Sequence, residues 1–197
     1  MTMPNELQSV LAQNNGIITT AQANGVGISN ERLRLLVDNG DLERARFGVY
    51  VLPDVIVDNM YVTQLRIKKI IYSHETALYM HDLCDRNPLW FSVTVPSGYN
   101  TKKLRDEDFN VFTIKRELHE LDVTELPTIF GNHVKVYGLE RTICDCLRSR
   151  NQVDISLLTD GVKRYVRRKD KNLTKLMQMS ELFGVTSLVR RYMEVLL

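Results

Sequence analysis

Between Asn5 and Leu52, three short helical patterns are followed by two β-like runs that meet at Phe47-Gly48, and this order leaves few folds open. The first pattern, Asn5 to Gln13, places Leu7, Val10 and Leu11 at helical spacing, and Asn14-Asn15-Gly16 closes it as helix C-termini are commonly closed. Ile17-Ile18 leads into Thr19-Thr20-Ala21-Gln22, where Thr19 and Gln22 have capping-box spacing, so a very short helix is predicted up to Asn24-Gly25. Ser29 is a good N-cap for a third helix from about Asn30 to Asn39, with Leu33, Leu36 and Val37 as its inward stripe and Gly40 as its end. Leu42 to Arg46 and Val49 to Leu52 then form a hairpin, because glycine at 48 permits the tight turn. Three helices and a hairpin in this order predict a winged helix-turn-helix. In that architecture the third helix enters the major groove, amino end nearest the bases, and the hairpin is the wing.

With Leu33, Leu36 and Val37 inward, Glu31, Leu35 and Asp38 point outward, and Arg32 and Arg34 flank that face. Those two arginines suit a guanine edge or a phosphate. Ser29 and Asn30 suit phosphate or adenine contacts, and Arg44 and Arg46 carry guanidinium groups onto the wing, toward a minor groove or backbone. The charge balance argues the other way. Residues 1–59 hold four basic groups against seven acidic ones, and the whole chain, with 26 Lys and Arg against 24 Asp and Glu, is only +2. DNA affinity depends on neutralising phosphates, so a winged helix that binds protein instead is the alternative reading. Placement favours DNA: all four arginines fall on the third helix and the hairpin, none on the supporting helices.

The run Val51-Leu52-Pro53 through Asp58 ends the first segment and marks an expected boundary, with a winged helix in 1–58 and a second domain in 59–197. Helical patterns are predicted over Met60 to Ile70 and Ser73 to Leu83, and strands over Trp90 to Val95, Asn110 to Lys115 and Val134 to Tyr137. From Leu139 the pattern is helical: Leu139 to Arg148, Ile155 to Lys169, Leu173 to Phe183 and Thr186 to Leu197. The fold class is α+β, with a mixed second domain and a helical carboxy-terminal third. The helix from Ile155 sets Ile155, Leu158, Val162, Tyr165 and Val166 on one face and Lys163, Arg164, Arg167 and Arg168 on the other, followed by Lys169. Residues 150–175 carry eight basic groups against three acidic ones, the strongest charge cluster in the chain. A solvated helix face is the plain reading; a contact for RNA, nucleotide, DNA backbone or an acidic protein is the functional one.

Support for enzymatic chemistry is thin. Cys144 and Cys146 lie two apart on a predicted helix without a second pair or a nearby histidine, so they read as core residues rather than zinc ligands. His74 and His81 share a helix face without a third ligand, and Glu117, Glu120, Glu125 and Lys135 make a nuclease-like set only by free choice of spacing. No Walker loop, dinucleotide fingerprint or nucleophile elbow occurs. No enzyme activity, cofactor or metal is expected. Met1 to Glu6 has neither a basic leader nor an apolar run, no stretch approaches the ~20 apolar residues of a membrane span, and three cysteines make no disulfide framework, so a cytoplasmic protein without a membrane partner is expected.

Several stretches resemble a known family. Gly16-Ile17-Ile18-Thr19-Thr20 through Gly25, then Arg34 through Arg44 and Gly48-Val49-Tyr50, look like the winged helix of the AbiE-type abortive-infection antitoxins, the antitoxins of type IV toxin-antitoxin systems. Ser73, Ala77-Leu78, Asp82-Leu83, Val93 through Gly98 and Val136 through Asp145 resemble the carboxy-terminal antitoxin domain of that family. The resemblance implies a protein that binds inverted repeats in its own promoter, represses the operon and serves phage defence. It also implies a second domain that counters a nucleotidyltransferase-like toxin without a long-lived complex. Carried over residue by residue, Thr20, Ser29, Asn30, Arg32, Arg34, Arg44 and Arg46 take the DNA role, and Lys163, Arg164, Arg167, Arg168 and Lys169 become the antitoxin surface. One wing and one helix offer few contacts, so two copies on repeated half-sites are expected.

Overall fold

The computed structural model describes residues 3–196, which divide into two compact units. The first runs through Lys68 and also takes Pro127–Val134; the second takes Lys69–Leu126 and the chain from Lys135 onward.

In the first unit, helix α1 (Asn5–Gln13), strand β1 (Ile17–Thr19), helix α2 (Thr20–Gly25) and helix α3 (Asn30–Asp38) precede strands β2 (Glu43–Arg46) and β3 (Val49–Val51). The local signals act as the sequence predicts. Thr19 and Gln22 form a reciprocal capping box on α2, and the Ser29 side chain accepts from the backbone N–H of Arg32 at the start of α3. Gly48, in the hairpin turn, has φ +75°, the left-handed region that favours glycine. Leu7, Leu11, Ile18, Ala23, Leu33, Leu36 and Leu42 form one buried cluster beneath the helices. What the sequence reading misses is β1: Ile17-Ile18-Thr19 is a strand, and it pairs antiparallel with β3, so the sheet runs β1-β3-β2. A bulge between Arg44 and Arg46 breaks the register of the wing. The architecture is a winged helix.

Helix α4 (Asn59–Arg66) stops earlier than the periodicity of Met60 to Ile70 predicts. Ile71 and Tyr72 are strand residues, β4 (Ile71–Tyr72), and the backbone must leave the helix to reach that ladder. The buried Asp58 caps α4 by accepting from the N–H of Tyr61 at 3.1 Å, and its other oxygen accepts from Thr128 Oγ1 at 2.5 Å and Asn132 Nδ2 at 2.9 Å. Asn15 Nδ2 in turn donates to Asn132 Oδ1 at 2.8 Å. Residues 127–134 thus belong to the first unit through a buried carboxylate.

The second unit builds a five-stranded sheet in the order β6-β5-β4-β8-β7 from β4, β5 (Ser92–Pro96), β6 (Asn110–Ile114), β7 (Val123–Pro127) and β8 (His133–Tyr137). Strand β5 is antiparallel to β4 and parallel to β6, and β4 is parallel to β8. Helices α5 (His74–Met80), α6 (Lys102–Asp106) and α7 (Arg116–His119) lie between strands, and α8 (Leu139–Arg148), α9 (Ile155–Arg167), α10 (Leu173–Leu182) and α11 (Thr186–Leu196) form the helical third. Strands β4 and β7 and helices α6 and α7 are not foreseen from the sequence. The other helices and strands expected beyond α4 are present, with α8 matching residue for residue.

Two placements differ. Ile155, expected on the inward face of α9, is 57% exposed, because burial of that face begins one turn later at Leu158. His74 and His81 do not form one patch. His81 follows the last residue of α5 and donates from Nε2 to the carbonyl of Tyr137 at 2.7 Å, whereas His74 is fully buried, stacked on Phe112 with ring centroids 3.4 Å apart. Its Nδ1 lies 2.9 Å from Ser73 Oγ and its Nε2 3.1 Å from Ser149 Oγ. Cys144 and Cys146 are core residues, as expected, and burial pushes the Cys144 thiol up to about 12.

Burial holds the His74 imidazole well below its usual range, and the nearby Arg148 and Arg141 guanidinium groups push the same way. The unfolded chain therefore takes up a proton that the folded chain refuses. Stability from this histidine is complete above the unfolded value near 6.5 and is lost as pH falls below it, at up to ~1.4 kcal/mol per pH unit. His81, also lowered chiefly by burial, acts in the same direction. Urea unfolding at pH 7.5, 6.5 and 5.5 should show this decline, and His74→Asn should flatten it, since Asn tolerates the φ of +49° at this position. An equal decline in wild type and variant would assign the acid sensitivity elsewhere.

Candidate nucleic-acid interface

Arg34 on α3 is largely exposed, and its Nε lies 3.8 Å from the exposed Asp38 carboxylate one turn on, a separation at which water competes easily. Arg46 on β2 is exposed. Arg32 is half-buried and engaged in an interaction, so it is the less available of the two α3 arginines. Ser29 is committed through its oxygen to capping α3, at 3.1 Å from the N–H of Arg32. Its hydroxyl hydrogen remains the group with which it can meet a phosphate.

A cleft of about 560 Å³ opens behind the wing and brings Thr20, Asn30 and Arg44 to one lining, with Phe47 and Tyr50 beside them. The α2 start is tied to the wing turn. The N–H of Thr20 donates to the carbonyl of Gly48 at 2.9 Å, and its hydroxyl reaches the same oxygen at 3.4 Å. One residue not foreseen from the sequence stands out here, and one expected to face outward is borne out. Phe47, at the hairpin turn, is 76% exposed, and the Arg44 guanidinium sits 5.2 Å from its ring centroid. Leu35, on the outward face of α3, is 42% exposed. An aromatic in a two-residue turn has no core to enter, which is the sequence signal that could have singled out Phe47. Arg34 and Arg46 do not line this cleft.

The basic helix α9 of the second unit divides in two. The Arg164 guanidinium binds the Asp85 carboxylate in a bidentate pair and holds that carboxyl below its usual range. Arg168 pairs with Asp170 through two bonds of 2.8 Å and donates to the carbonyl of His81 at 2.9 Å. That arrangement ends the helix at Arg167 and leaves Lys169 beyond it. Lys163, Arg167 and Lys169 are exposed, Lys163 at 3.9 Å from the Asp160 carboxylate. Among the described residues no cluster of three or more His, Cys, Asp or Glu could hold a metal, and no helix is long and apolar enough to cross a membrane.

No curated protein matches the chain in sequence. In structure it is similar to the crystal structure of the RV2827C protein from Mycobacterium tuberculosis, with a TM-score of 0.57 at 13% identity, covering 94% of this chain and 78% of that one. At that identity the likeness speaks for the fold. A family model described as transcriptional regulator, AbiEi antitoxin, matches residues 5–53, which span α1 through β3. The amino-terminal winged helix of this chain is therefore similar to that of the AbiEi antitoxin transcriptional regulators.

Proposed function

We propose that the winged helix binds inverted repeats in the promoter of its own operon and represses it, and that the chain is the antitoxin of a type IV, phage-defence system whose toxin is nucleotidyltransferase-like. The observation that carries this reading is the placement of Arg34, Arg44 and Arg46, all exposed, on α3 and the wing of a domain matched by an antitoxin-regulator family. In this reading Arg34 and Arg32 meet the major groove from α3, Arg44 and Arg46 meet the backbone or minor groove from the wing, and Thr20, Ser29 and Asn30 contact phosphate or adenine. Two copies occupy the two half-sites. The protein works in the cytoplasm, has no catalytic role of its own and needs no cofactor.

Fluorescence anisotropy of the full chain on the DNA upstream of its gene, against scrambled DNA, tests the first part. Binding should be sequence-specific and weaken steeply as salt rises. Arg34→Ala should cost about 1–3 kcal/mol on the cognate site if it reads a guanine, and much less on scrambled DNA. Sequence-blind binding with no salt dependence would overturn the reading and make the acidic excess of residues 1–59 the truer signal, that of a protein-binding winged helix.

The second part assigns antitoxicity to the α9 surface of Lys163, Arg164, Arg167, Arg168 and Lys169. Arg164 and Arg168 already hold carboxylates of the second unit, so the groups to reverse are Lys163, Arg167 and Lys169. The triple variant Lys163→Glu, Arg167→Glu, Lys169→Glu should lose at least about tenfold in rescue of toxin-expressing cells, with unchanged operator binding and an unchanged unfolding curve, since several like-signed contacts act together. Undiminished rescue would overturn the assignment.

A further inference from the structure

The Pro96-Ser97-Gly98 stretch, part of the family-like sequence but without a role in DNA binding or in the α9 surface, lines a separate cavity of about 370 Å³ in the second unit. Its walls come from three places at one edge of the sheet. Strands β5 and β6 are parallel, so the turn after Pro96 and the segment after Ile114 leave from the same edge. Strand β4 is antiparallel to β5, which brings Lys69, just before β4, to that edge too. Ligands of open α/β sheets gather outside the carboxyl ends of parallel strands, where loops diverge and backbone groups are free of the ladder.

The chemistry of the cavity is that of an anion with a polar, partly flat body attached. Lys69 and Arg116 supply two cations. The Arg116 guanidinium is laid across the turn: Nε donates to the carbonyl of Ser97 at 3.3 Å, and Nη2 would stand 3.5 Å from a Cβ on Gly98. Gly98 has φ +84°, and the turn itself is pinned by the Ser97 N–H and hydroxyl, both donating to Ile114 O. Tyr99 presents a half-exposed ring on one side. At the back, His119 is 97% buried, with Nδ1 3.2 Å from the Glu120 carboxylate and Nε2 3.4 Å from the carbonyl of Thr94, and Tyr137 donates to its carbonyl at 3.0 Å. Glu120, itself exposed, is the one carboxylate of the lining, an acceptor for hydroxyl groups rather than for phosphate.

We infer that this cavity binds a ribonucleoside 5′-monophosphate. Lys69 and Arg116 hold the phosphate, Glu120 accepts from ribose hydroxyls, and the Tyr99 ring packs against the base. A cavity of about 370 Å³ is at the small end of ligand pockets and suits a mononucleotide. The inference stands independently of operator binding and of the α9 surface.

Isothermal titration of the full chain with AMP, inorganic phosphate and adenosine tests it. AMP should bind saturably at one site, phosphate more weakly and adenosine most weakly. Arg116→Gln and Lys69→Gln, both at exposed positions, should each weaken AMP by about tenfold or more, as expected for the loss of a charge-assisted contact. Tyr99→Leu should weaken AMP and leave phosphate unchanged, and Lys163→Gln should alter neither. In wild-type protein AMP should also shift the imidazole signals of His119 in nitrogen-edited NMR, a readout that does not depend on how any variant folds. No saturable binding of AMP at millimolar concentration, or binding untouched by both Arg116→Gln and Lys69→Gln, overturns the proposal. Phosphate binding as tight as AMP overturns the nucleoside part of it.

Discussion

Replacing Arg141 by Met is expected to destabilise the second unit by about 3–5 kcal/mol, the range for breaking one partner out of a buried ion pair. Arg141 is fully buried in α8, and its Nε lies 3.2 Å from the equally buried Asp145 carboxylate one turn on. It also donates to the carbonyl of Leu121, and its guanidinium lies 3.3 Å from the ring centroid of Tyr137 and 5.2 Å from that of Phe183. After the substitution Asp145 keeps only Arg148, at 3.2 Å and half-buried. Burial already pushes the Asp145 carboxyl up against the pull of both guanidinium groups, so removing one raises it further. A folded-state value raised above the unfolded one favours the folded state at low pH. The difference between variant and wild type should therefore shrink as pH falls through the raised Asp145 value. Thermal unfolding of the two proteins at pH 7 and pH 5 checks both statements. Adding Asp145→Leu to Arg141→Met should recover a large part of the loss, because the stranded charge is then gone; no recovery would mean that packing over Tyr137 and Phe183 carries the energy instead.

The second large effect is expected at Asp58. Asp58→Ala removes the acceptor for the N–H of Tyr61, the hydroxyl of Thr128 and the amide of Asn132 in a single step. Hydrogen bonds to a charged group contribute ~1.5–3 kcal/mol each without being additive, so a loss of about 3–4 kcal/mol in the first unit is expected. Loss of the α4 cap alone would account for only ~1 kcal/mol. Asp58→Asn keeps a side-chain oxygen for the Tyr61 N–H but turns its own N–H₂ toward the two donors, the Thr128 hydroxyl and the Asn132 amide, so it should fall between wild type and Ala. Amide exchange separates the contributions: with Ala at 58, protection should drop at residues 128–132 as well as at the start of α4. Protection lost only in α4 would show that the 127–134 segment is held by something other than this carboxylate.

These two residues also mark where sequence reading stops. A buried arginine inside α8 looks, by spacing, like an ordinary amphipathic position. Its partner Asp145 is four residues away and legible, but the Leu121 carbonyl and the Tyr137 and Phe183 rings that make its burial tolerable are supplied by other elements. Asp58 reads correctly as the residue before a helix. That its second oxygen binds residues some 70 positions later has no local signature. The same division runs through the candidate interface. Ser29, the Thr19–Gln22 box and Gly48 set the start of α3, the start of α2 and the wing turn, as the sequence predicts. The meeting of Thr20, Asn30 and Arg44 in one cleft depends on the bond from Thr20 to Gly48, and the engagement of Arg164 by Asp85 depends on a loop 79 residues upstream.

The sequence by itself therefore determined the helices of the winged domain, its turn, the arginines on α3 and the wing, the helical carboxy-terminal third and the buried cysteines. Caps, glycine conformations and 3.6-residue stripes depend on neighbours within about four positions, and those neighbours are written side by side. Only the tertiary structure decided that Ile17–Thr19, Ile71–Tyr72 and Val123–Pro127 are strands, that residues 127–134 belong to the first unit, and that Lys69, Gly98 and Arg116 share one cavity. A strand of two or three residues, such as Ile71–Tyr72 or Ile17–Thr19, has no periodicity to read; these, like the five residues of Val123–Pro127, are strands only through the ladder that pairs them, and a cavity exists only where distant loops are brought to the same edge of a sheet.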